Sequence, residues 1–461
     1  MDYGEFIRRK FATAPVAGFR RDCSGFGLFP FQQDIVEWAL SKGRAAIFAD
    51  TGLGKTFMQL VWAHCVAEKT GRPVLVLTPL AVAEQTVREA GKFSIPGVGM
   101  WSGEPGRIDV INYESLTKVD TDAYEGVVLD ESSILKNADG RTRNILVSTF
   151  ADTAYRLACT ATPSPNDHTE LGNHSEFLGV MPEAIMRARW FINDLGATIN
   201  PWRLKQHAVR DFWRWVSTWA RCVGKPSDMG DGYSDDGYDL PPLHLHKHVV
   251  TVDITEGRGD GMLFRIPEMS ATGVHGEKRR TLGDRVALLE SVVRAEPSEP
   301  WVIWCETNYE QEAVVSALSD MAPIDVRGNM KPREKARGLL RFTDEGGVIV
   351  TKPSIAGMGL NWQHAARMAF VGGTYSYERF YQAVRREWRF GQEREVHAHT
   401  IMAHTEQAMW HAINRKAGEH EKMKTEMYQA SKRAAVAAAR NTAYRPTHTA
   451  RIPAWLNTLE M

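Results

Sequence analysis

Residues 49–56 have the composition and order of a phosphate-binding loop. They read Ala-Asp-Thr-Gly-Leu-Gly-Lys-Thr and lie between a predicted strand and a predicted helix. Gly52 and Gly54 would let backbone N–H groups curl around phosphate oxygens, next to the partial positive charge of the helix N-terminus. Lys55 is expected to bind the β- and γ-phosphates, and the Thr56 hydroxyl to bind Mg²⁺. A chance Gly-Lys-Thr is the alternative, and the flanking strand and helix argue against it.

Two adjacent carboxylates follow another predicted strand, at 127–130. Asp130 and Glu131 would lie at the carboxyl end of this strand, where parallel α/β sheets bind their ligands. Asp130 suits Mg²⁺, and Glu131 suits a base that orients or deprotonates an attacking water molecule. Such a pair alone is usually a solvated turn. Downstream of a phosphate loop, the catalytic interpretation is favoured.

A third group of candidate catalytic residues is basic. Arg386 and Arg389 lie one helical turn apart in residues 382–392, which we predict to be a helix with both arginines on one face. A basic helix alone is usually a solvated face. Together with the other two motifs, these arginines are expected to stabilise charge on a transferring phosphoryl group. Such arginines contribute about 10³–10⁵ in rate.

The elements that must position these residues form two separate stretches of apolar strands alternating with helices. Strands are predicted at 45–49, 74–78, 108–112, 127–130 and 156–160, and again at 301–305, 323–326, 347–351, 368–372 and 397–402. Continuous apolar strands separated by helices indicate parallel sheets covered on both faces. The predicted fold class is therefore α/β, with two tandem parallel-sheet lobes and a mainly helical insertion between them.

Composition changes give the predicted domain boundaries. These are an N-terminal extension (1–24), a first lobe (25–170), a helical insertion with a flexible acidic loop (171–280), a second lobe (281–405), and a helical brace with a basic tail (406–461). The insertion holds five tryptophans at helical spacing, Trp190, Trp202, Trp213, Trp215 and Trp219. They could stack nucleic-acid bases, but a packed core is the favoured interpretation.

The order of these motifs over two α/β lobes resembles superfamily-2 helicases and translocases, and in detail the Swi/Snf-type DNA-dependent ATPases. Residues 28–32, Leu-Phe-Pro-Phe-Gln, are similar to the adenine-sensing element of that family. Residues 160–163, Thr-Ala-Thr-Pro, resemble its coupling motif. Thr351 and residues 356–361, Ala-Gly-Met-Gly-Leu-Asn, resemble its motif V, and residues 382–392 its closing arginine motif.

The resemblance implies two RecA-like lobes and a role for further residues. It implies that Gln32, Gly359 and Asn361 bind the nucleotide. It implies that the nucleic acid is contacted by Thr78, Pro79, Asn112, Thr351 and Gly357. It also implies that Thr160, Thr162 and Gln382 couple hydrolysis to nucleic-acid binding. The sequence departs from the family at Ser133, where a histidine is usual, and at Arg385, where a glycine is usual.

These observations together predict an ATP-dependent nucleic-acid motor that uses ATP and Mg²⁺, and the resemblance implies that it moves on double-stranded DNA. Two alternatives remain: a strand-separating DNA or RNA helicase of the same superfamily, and an ATP-switched DNA clamp with weak turnover, which Ser133 suggests. The basic C-terminal tail could bind a protein partner, although a solvated helix is the default interpretation.

Composition limits the classes of protein to consider. Lys plus Arg and Asp plus Glu each total 56, which argues against a polycationic nucleic-acid binder. The charge is locally uneven, because residues 201–222 carry five basic residues and one acid. The five cysteines are widely spaced, which favours free thiols in a reducing cytoplasm. No stretch of 18 apolar residues occurs, so no membrane span is predicted.

A row of alternating histidines has no part in the predicted ATPase activity. His244, His246 and His248 alternate along a strand predicted within residues 239–255, so their side chains share a face. A metal site requires further ligands, and none lies nearby in the sequence. A solvent-facing strand is therefore the favoured interpretation.

Overall fold

A computed structural model of the chain describes residues 17–80, 82–136, 140–164, 167–193, 202–252, 271–356, 361–373 and 376–439. The strands are β1 (Arg44–Ala49), β2 (Val74–Thr78), β3 (Val98–Met100), β4 (Ile108–Asn112), β5 (Gly126–Asp130), β6 (Tyr155–Cys159), β7 (Phe191–Asn193), β8 (Trp202–Leu204), β9 (Ala220–Val223), β10 (Leu243–Val250), β11 (Trp301–Trp304), β12 (Ile324–Asp325), β13 (Val348–Thr351), β14 (Arg367–Val371) and β15 (Val396–Ala403). The α-helices are α1 (Pro30–Lys42), α2 (Lys55–Thr70), α3 (Ala83–Lys92), α4 (Arg141–Thr149), α5 (Leu171–Phe177), α6 (Glu183–Trp190), α7 (Val209–Trp219), α8 (Ala271–Arg280), α9 (Leu282–Ala295), α10 (Asn308–Ala317), α11 (Pro332–Glu345), α12 (Pro353–Ala356), α13 (Tyr377–Val384) and α14 (Gln407–Ala439).

Two parallel sheets organise these elements. The first has seven strands in the order β3-β4-β2-β5-β6-β1-β9, and the second has six in the order β10-β15-β14-β11-β13-β12. The central strands are buried along their whole length, as expected for parallel strands with helices on both faces. The α/β class with two tandem parallel-sheet lobes is confirmed, and so are all ten of the strands predicted for it.

The interval predicted as an insertion contributes a strand to each sheet. β9 pairs with β1 at the edge of the first sheet, and β10 pairs with β15 at the edge of the second. The first lobe therefore extends beyond the predicted boundary at residue 170. β9 follows α7 directly, and its four residues continue the apolar character of that helix, so hydrophobic periodicity does not separate the two elements.

The tryptophans of this interval belong to the core of the first lobe. Trp190, Trp213, Trp215 and Trp219 are all buried, and Trp202 packs against them from the margin. The Trp219 ring lies edge-on to Phe48 of β1, with the ring centroids 6.1 Å apart. The packed-core interpretation is confirmed.

One long helix connects the two lobes. α14 begins just after the last strand of the second sheet, where Ile413 joins the core of the second lobe. Farther along, Met423, Met427 and Ala430 are buried in the core of the first lobe. The helix therefore packs on both lobes and is not simply a solvated tail. No helix in the described ranges combines the length and apolar character needed to cross a membrane.

Candidate functional site

The predicted phosphate-binding loop, residues 49–56, called the phosphate loop below, connects β1 to α2 at the carboxyl end of the first sheet. Gly52 and Gly54 both adopt left-handed backbone conformations, with φ of +91° and +77°, which glycine accepts at no steric cost. The Lys55 ammonium donates to the backbone oxygens of Ala49 at 2.9 Å and Asp50 at 3.2 Å, so the lysine lies across the mouth of the loop. Thr56 follows in the first turn of α2, where it is half-buried.

The acidic pair lies next to this loop at the end of β5. The Gln59 amide of α2 donates to Asp130 Oδ1 at 2.8 Å, and this bond fixes the carboxylate beside the loop. Burial and the neighbouring Glu131 raise the pKa of Asp130 to about 6. Glu131 adopts φ of +52°, which is rare outside glycine and is found at functional sites. A buried acid with a raised pKa beside a strained neighbour is typical of a catalytic or metal site.

Glu131 contacts the residues predicted to couple hydrolysis to movement. The Thr160 hydroxyl donates to Glu131 Oε2 at 3.2 Å, and Thr160 Oγ1 accepts from the backbone N–H of Thr162 at 3.1 Å. The acidic pair therefore reaches the end of β6 directly, although serine occupies position 133. Ser132 forms a separate contact, 3.1 Å from His174 Nε2.

The prediction that residues 382–392 form one helix is wrong. α13 ends at Val384, and Arg386 and Arg389 lie in the turns that follow. At the end of the helix the backbone bonds shorten from a spacing of four residues to three, because the Arg386 N–H donates to the Ala383 oxygen at 3.1 Å and the Glu387 N–H donates to the Val384 oxygen at 3.3 Å. The Arg386 oxygen accepts from the Trp362 backbone N–H at 3.0 Å, and the Glu387 oxygen accepts from the Gln392 amide at 3.2 Å. Arg386 and Arg389 therefore do not share a helix face.

Both arginines nevertheless lie within electrostatic range of the first lobe. Burial and Arg389 lower the pKa of Arg386 to about 9, and the carboxylate of Glu131 opposes that shift. Burial lowers the pKa of Lys55, and Arg389 adds to this shift while Glu131 opposes it. The structure thus brings Lys55 and Glu131 of the first lobe close to Arg386 and Arg389 of the second lobe.

A buried ionic cluster joins the phosphate loop to the second lobe and to α14. Asp50 accepts from the Tyr381 hydroxyl at 2.7 Å, from Arg385 at 2.5 Å and from the Lys424 ammonium at 2.9 Å. Burial alone would raise the pKa of Asp50, but Arg385 and Lys424 hold it well below its ordinary value. Sequence reasoning missed this cluster, although Arg385 was visible as a departure from the family pattern.

An aromatic group lies beside the predicted base reader, Gln32. The Gln32 amide donates to the Leu53 oxygen at 2.9 Å and accepts from the Phe29 N–H at 3.0 Å, which connects α1 to the phosphate loop. The Tyr238 ring is 6.4 Å from the Phe29 ring and 4.7 Å from the Phe390 ring of the second lobe. Tyr238 lies in the acidic stretch predicted to be a flexible loop, and nothing in its local sequence indicated this contact.

The residues predicted to contact nucleic acid lie at the ends of central strands. Thr78 ends β2 and Thr351 ends β13, and their buried hydroxyls donate to the backbone oxygens of Pro79 at 3.2 Å and Val326 at 3.1 Å. The Asn112 amide oxygen accepts from the Ser115 N–H at 3.0 Å.

The remaining predicted residues lie in less constrained places. Gln382 is half-buried in α13, and Asn361 is exposed. Gly357 and Gly359 lie outside the described residues. The nucleic-acid, coupling and motif V roles stay predictions.

Gly52 offers a test of the contact between the lobes. A Cβ at this position would lie 2.7 Å from the Phe390 Cβ and 2.9 Å from the Phe390 nitrogen, which belongs to the backbone and cannot rotate away. Gly71 has a similar φ of +68°, but a Cβ there would meet open space. We expect Gly71→Ala to lower the free energy of unfolding by about 1–2 kcal/mol. Gly52→Ala should cost about 1–3 kcal/mol more because it adds overpacking to the same backbone strain. Urea unfolding measures both, and equal losses would contradict the contact.

No protein-family model matches the sequence, and no curated protein matches it. Among solved structures, the chain is similar to the Sulfolobus solfataricus SWI2/SNF2 ATPase core in complex with dsDNA. The sequences are 16% identical and the TM-score is 0.40, and the alignment covers 88% of this chain and 94% of that one. The similarity describes the fold alone.

Proposed function

We propose that this protein is a nucleic-acid-dependent ATPase that couples hydrolysis of Mg·ATP to movement along duplex DNA. One observation carries the ATPase proposal. The phosphate loop and the acidic pair of the first lobe face an arginine-bearing turn of the second lobe across a shared interface. Phosphoryl transfer requires these three kinds of group and little covalent chemistry from the protein.

The residues at the interface fit Mg·ATP. Gly52 and Gly54 adopt left-handed backbone conformations that let the loop curl around a phosphate chain, and Lys55 supplies the cation. Thr56 and Asp130 are the residues that would hold Mg²⁺, because hydroxyl and carboxylate oxygens are its preferred ligands. A bound Mg²⁺ would supply positive charge to offset that of the phosphate oxygens. The exposed ring of Phe29 lies beside Gln32, where an adenine base would stack.

Each protein group has one task in this mechanism. Lys55 exchanges its two backbone oxygens for phosphate oxygens. Glu131 accepts a proton from the attacking water, and the Thr160 hydroxyl holds the Glu131 carboxylate in position. Arg386 and Arg389 stabilise the charge of the transition state from the opposite lobe.

The position of the nucleotide site between two lobes provides a way to couple ATP hydrolysis to movement along DNA. Nucleotide contacts that require both lobes favour their approach, and release after hydrolysis lets them separate. From the resemblance, Pro79, Asn112 and Gly357 would contact the DNA backbone, whereas the buried Thr78 and Thr351 would first have to become exposed to do so. Among the basic residues of 201–222, Arg203 and Arg210 are exposed and suited to phosphates, whereas Arg221 is buried with its guanidinium 3.9 Å from the Trp38 ring.

The rate of ATP hydrolysis with different polymers tests this function. We expect low basal turnover and a stimulation of at least tenfold by duplex DNA, weakening steeply with salt as phosphate contacts are screened. Single-stranded DNA and RNA, at equal nucleotide concentration, are the matched comparisons. Stimulation by RNA alone would overturn the DNA assignment. Tight ATP-dependent DNA binding with little turnover would favour the clamp instead, and the bond between Thr160 and Glu131 argues against that result.

A further inference from the structure

Five histidines form a continuous row on one face of the second sheet. β10 and β15 are parallel neighbours, with His244 opposite His397 and His246 opposite His399. His248 continues the row on β10. The side chains that alternate with them on β10, Leu245, Lys247 and Val249, are exposed. The histidines therefore occupy the more covered face of the strand, where His244, His246 and His248 are half-buried, so the solvent-facing interpretation of the sequence pattern holds only in part.

The rings approach one another closely enough to share a ligand. His246 Nε2 is 2.9 Å from His397 Nδ1, and His248 Nε2 is 2.9 Å from His399 Nδ1. One nitrogen each from His246, His397 and His399 lies within 4.8 Å of the other two. A second group, His244, Glu395 and His397, meets the same limit and shares a ring with the first. The sequence could not indicate this arrangement, because the paired histidines are 151 residues apart.

We propose that His246, His397 and His399 bind a divalent transition-metal ion of the Zn²⁺, Ni²⁺ or Cu²⁺ class. Imidazole nitrogens suit these ions, whereas Mg²⁺ and Ca²⁺ prefer oxygen. With metal–nitrogen bonds of 2.0–2.1 Å, two ligand nitrogens are about 3.3 Å apart at a tetrahedral angle and about 2.9 Å apart at a right angle. The separation of 2.9 Å between His246 Nε2 and His397 Nδ1 lies within a few tenths of an ångström of both, and a nitrogen of His399 lies within 4.8 Å of a nitrogen of each of these rings.

The hydrogen bonding of the row leaves a polar atom for which an ion would provide a partner. His399 is only 9% exposed, and its Nε2 is buried with no hydrogen-bond partner among the described residues. In each pair of hydrogen-bonded histidines the accepting ring must offer a lone pair, and a nitrogen lone pair is what binds a metal ion.

The charges around the row are compatible with a cation. Glu395 lies 3.1 Å from His244 and adds a carboxylate to one end of the row. Arg367 faces His397 in the register of β14 against β15, and it is paired with Glu296 at 2.9 Å, so its positive charge is compensated. A bound ion would fasten the edge strand β10 to β15. This site shares no residue with the nucleotide site.

Metal titration of the full chain, purified without a histidine tag, tests the proposal. We expect one Zn²⁺ or Ni²⁺ per chain by isothermal titration calorimetry with a dissociation constant in the micromolar range or below. At a hundredfold excess of metal over this constant, the melting temperature of the 461-residue chain should rise by about 3 °C. His246→Gln and His397→Gln should each weaken binding at least tenfold. His411→Gln, an exposed histidine on α14, is the matched control and should bind as the wild type does.

Two results would overturn the site. One is the lack of saturable binding by Zn²⁺, Ni²⁺ and Cu²⁺, and the other is binding that His246→Gln and His397→Gln leave unchanged. If these variants fail to fold, the visible absorption of Co²⁺ bound to the unmodified chain reports nitrogen ligation. A spectrum identical to that of aqueous Co²⁺ at saturating protein would then reject the proposal.

Discussion

Replacing Glu131 with glutamine is expected to remove most ATP turnover while leaving ATP binding nearly unchanged. The amide has the same size and can still accept the Thr160 hydroxyl bond, but it cannot take a proton from water. General bases contribute about 10²–10⁴ in rate, so the DNA-stimulated kcat should fall by that factor. Steady-state hydrolysis and binding of a fluorescent ATP analogue measure the two effects separately.

Three further variants make the Glu131 prediction specific. Glu345→Gln applies the same chemical change to an exposed surface acid and should leave kcat unchanged. Lys55→Ala should lose nucleotide affinity as well as turnover, because Lys55 is expected to bind the phosphates. Thr160→Val keeps Glu131 but removes its partner, so kcat should fall by less than in Glu131→Gln. Turnover close to wild type in Glu131→Gln would exclude Glu131 as the base.

The sequence predicted the central strands because parallel strands buried on both faces need unbroken apolar runs. Residues 74–78 and 301–304 show this pattern, and both are strands in the structure. Short edge elements carry weaker signals. β3 and β9 have three and four residues, and such runs do not establish a period.

The candidate site likewise has a part that local sequence predicts and a part that depends on residues far apart in the chain. Residues 49–56 could be recognised because the loop, its glycines and its lysine are contiguous, and the geometry follows from local backbone conformation. The partners of Asp50 are found far along the chain, with Tyr381 331 residues away and Lys424 374 residues away. Only the packing of the two lobes brings them together. The range 406–461, which was predicted to end in a solvated basic tail, therefore includes Lys424, although its ammonium is buried.

Replacing Asp50 with asparagine is expected to cause the largest loss of stability among single charge changes at this interface. The change leaves Arg385 and Lys424 buried without their shared carboxylate. Removing one partner of a buried ion pair costs about 3–5 kcal/mol. Because the folded pKa of Asp50 lies below its unfolded value, this contribution is present above about pH 4 and is lost as pH falls through the folded pKa. Urea unfolding at pH 7 measures the loss.

A second substitution separates the charge effect from general damage to the interface. Lys424→Met keeps most of the side-chain volume and leaves Asp50 and Arg385 as a one-to-one pair, so it should cost less than Asp50→Asn. The double variant should lose less free energy of unfolding than the sum of the losses of Asp50→Asn and Lys424→Met, because the two residues share one network. Asp320→Asn, which breaks an exposed pair with Arg294, should leave the unfolding midpoint unchanged.

The same cluster also has a consequence for turnover. Asp50 lies within the phosphate loop, Arg385 immediately precedes the proposed catalytic Arg386, and Lys424 lies on the helix that packs on both lobes. Lys424→Met should therefore raise the KM for ATP. The increase should exceed what the loss of folded protein at the assay temperature would explain. A variant with an unchanged KM would show that the cluster holds the lobes together without positioning the loop.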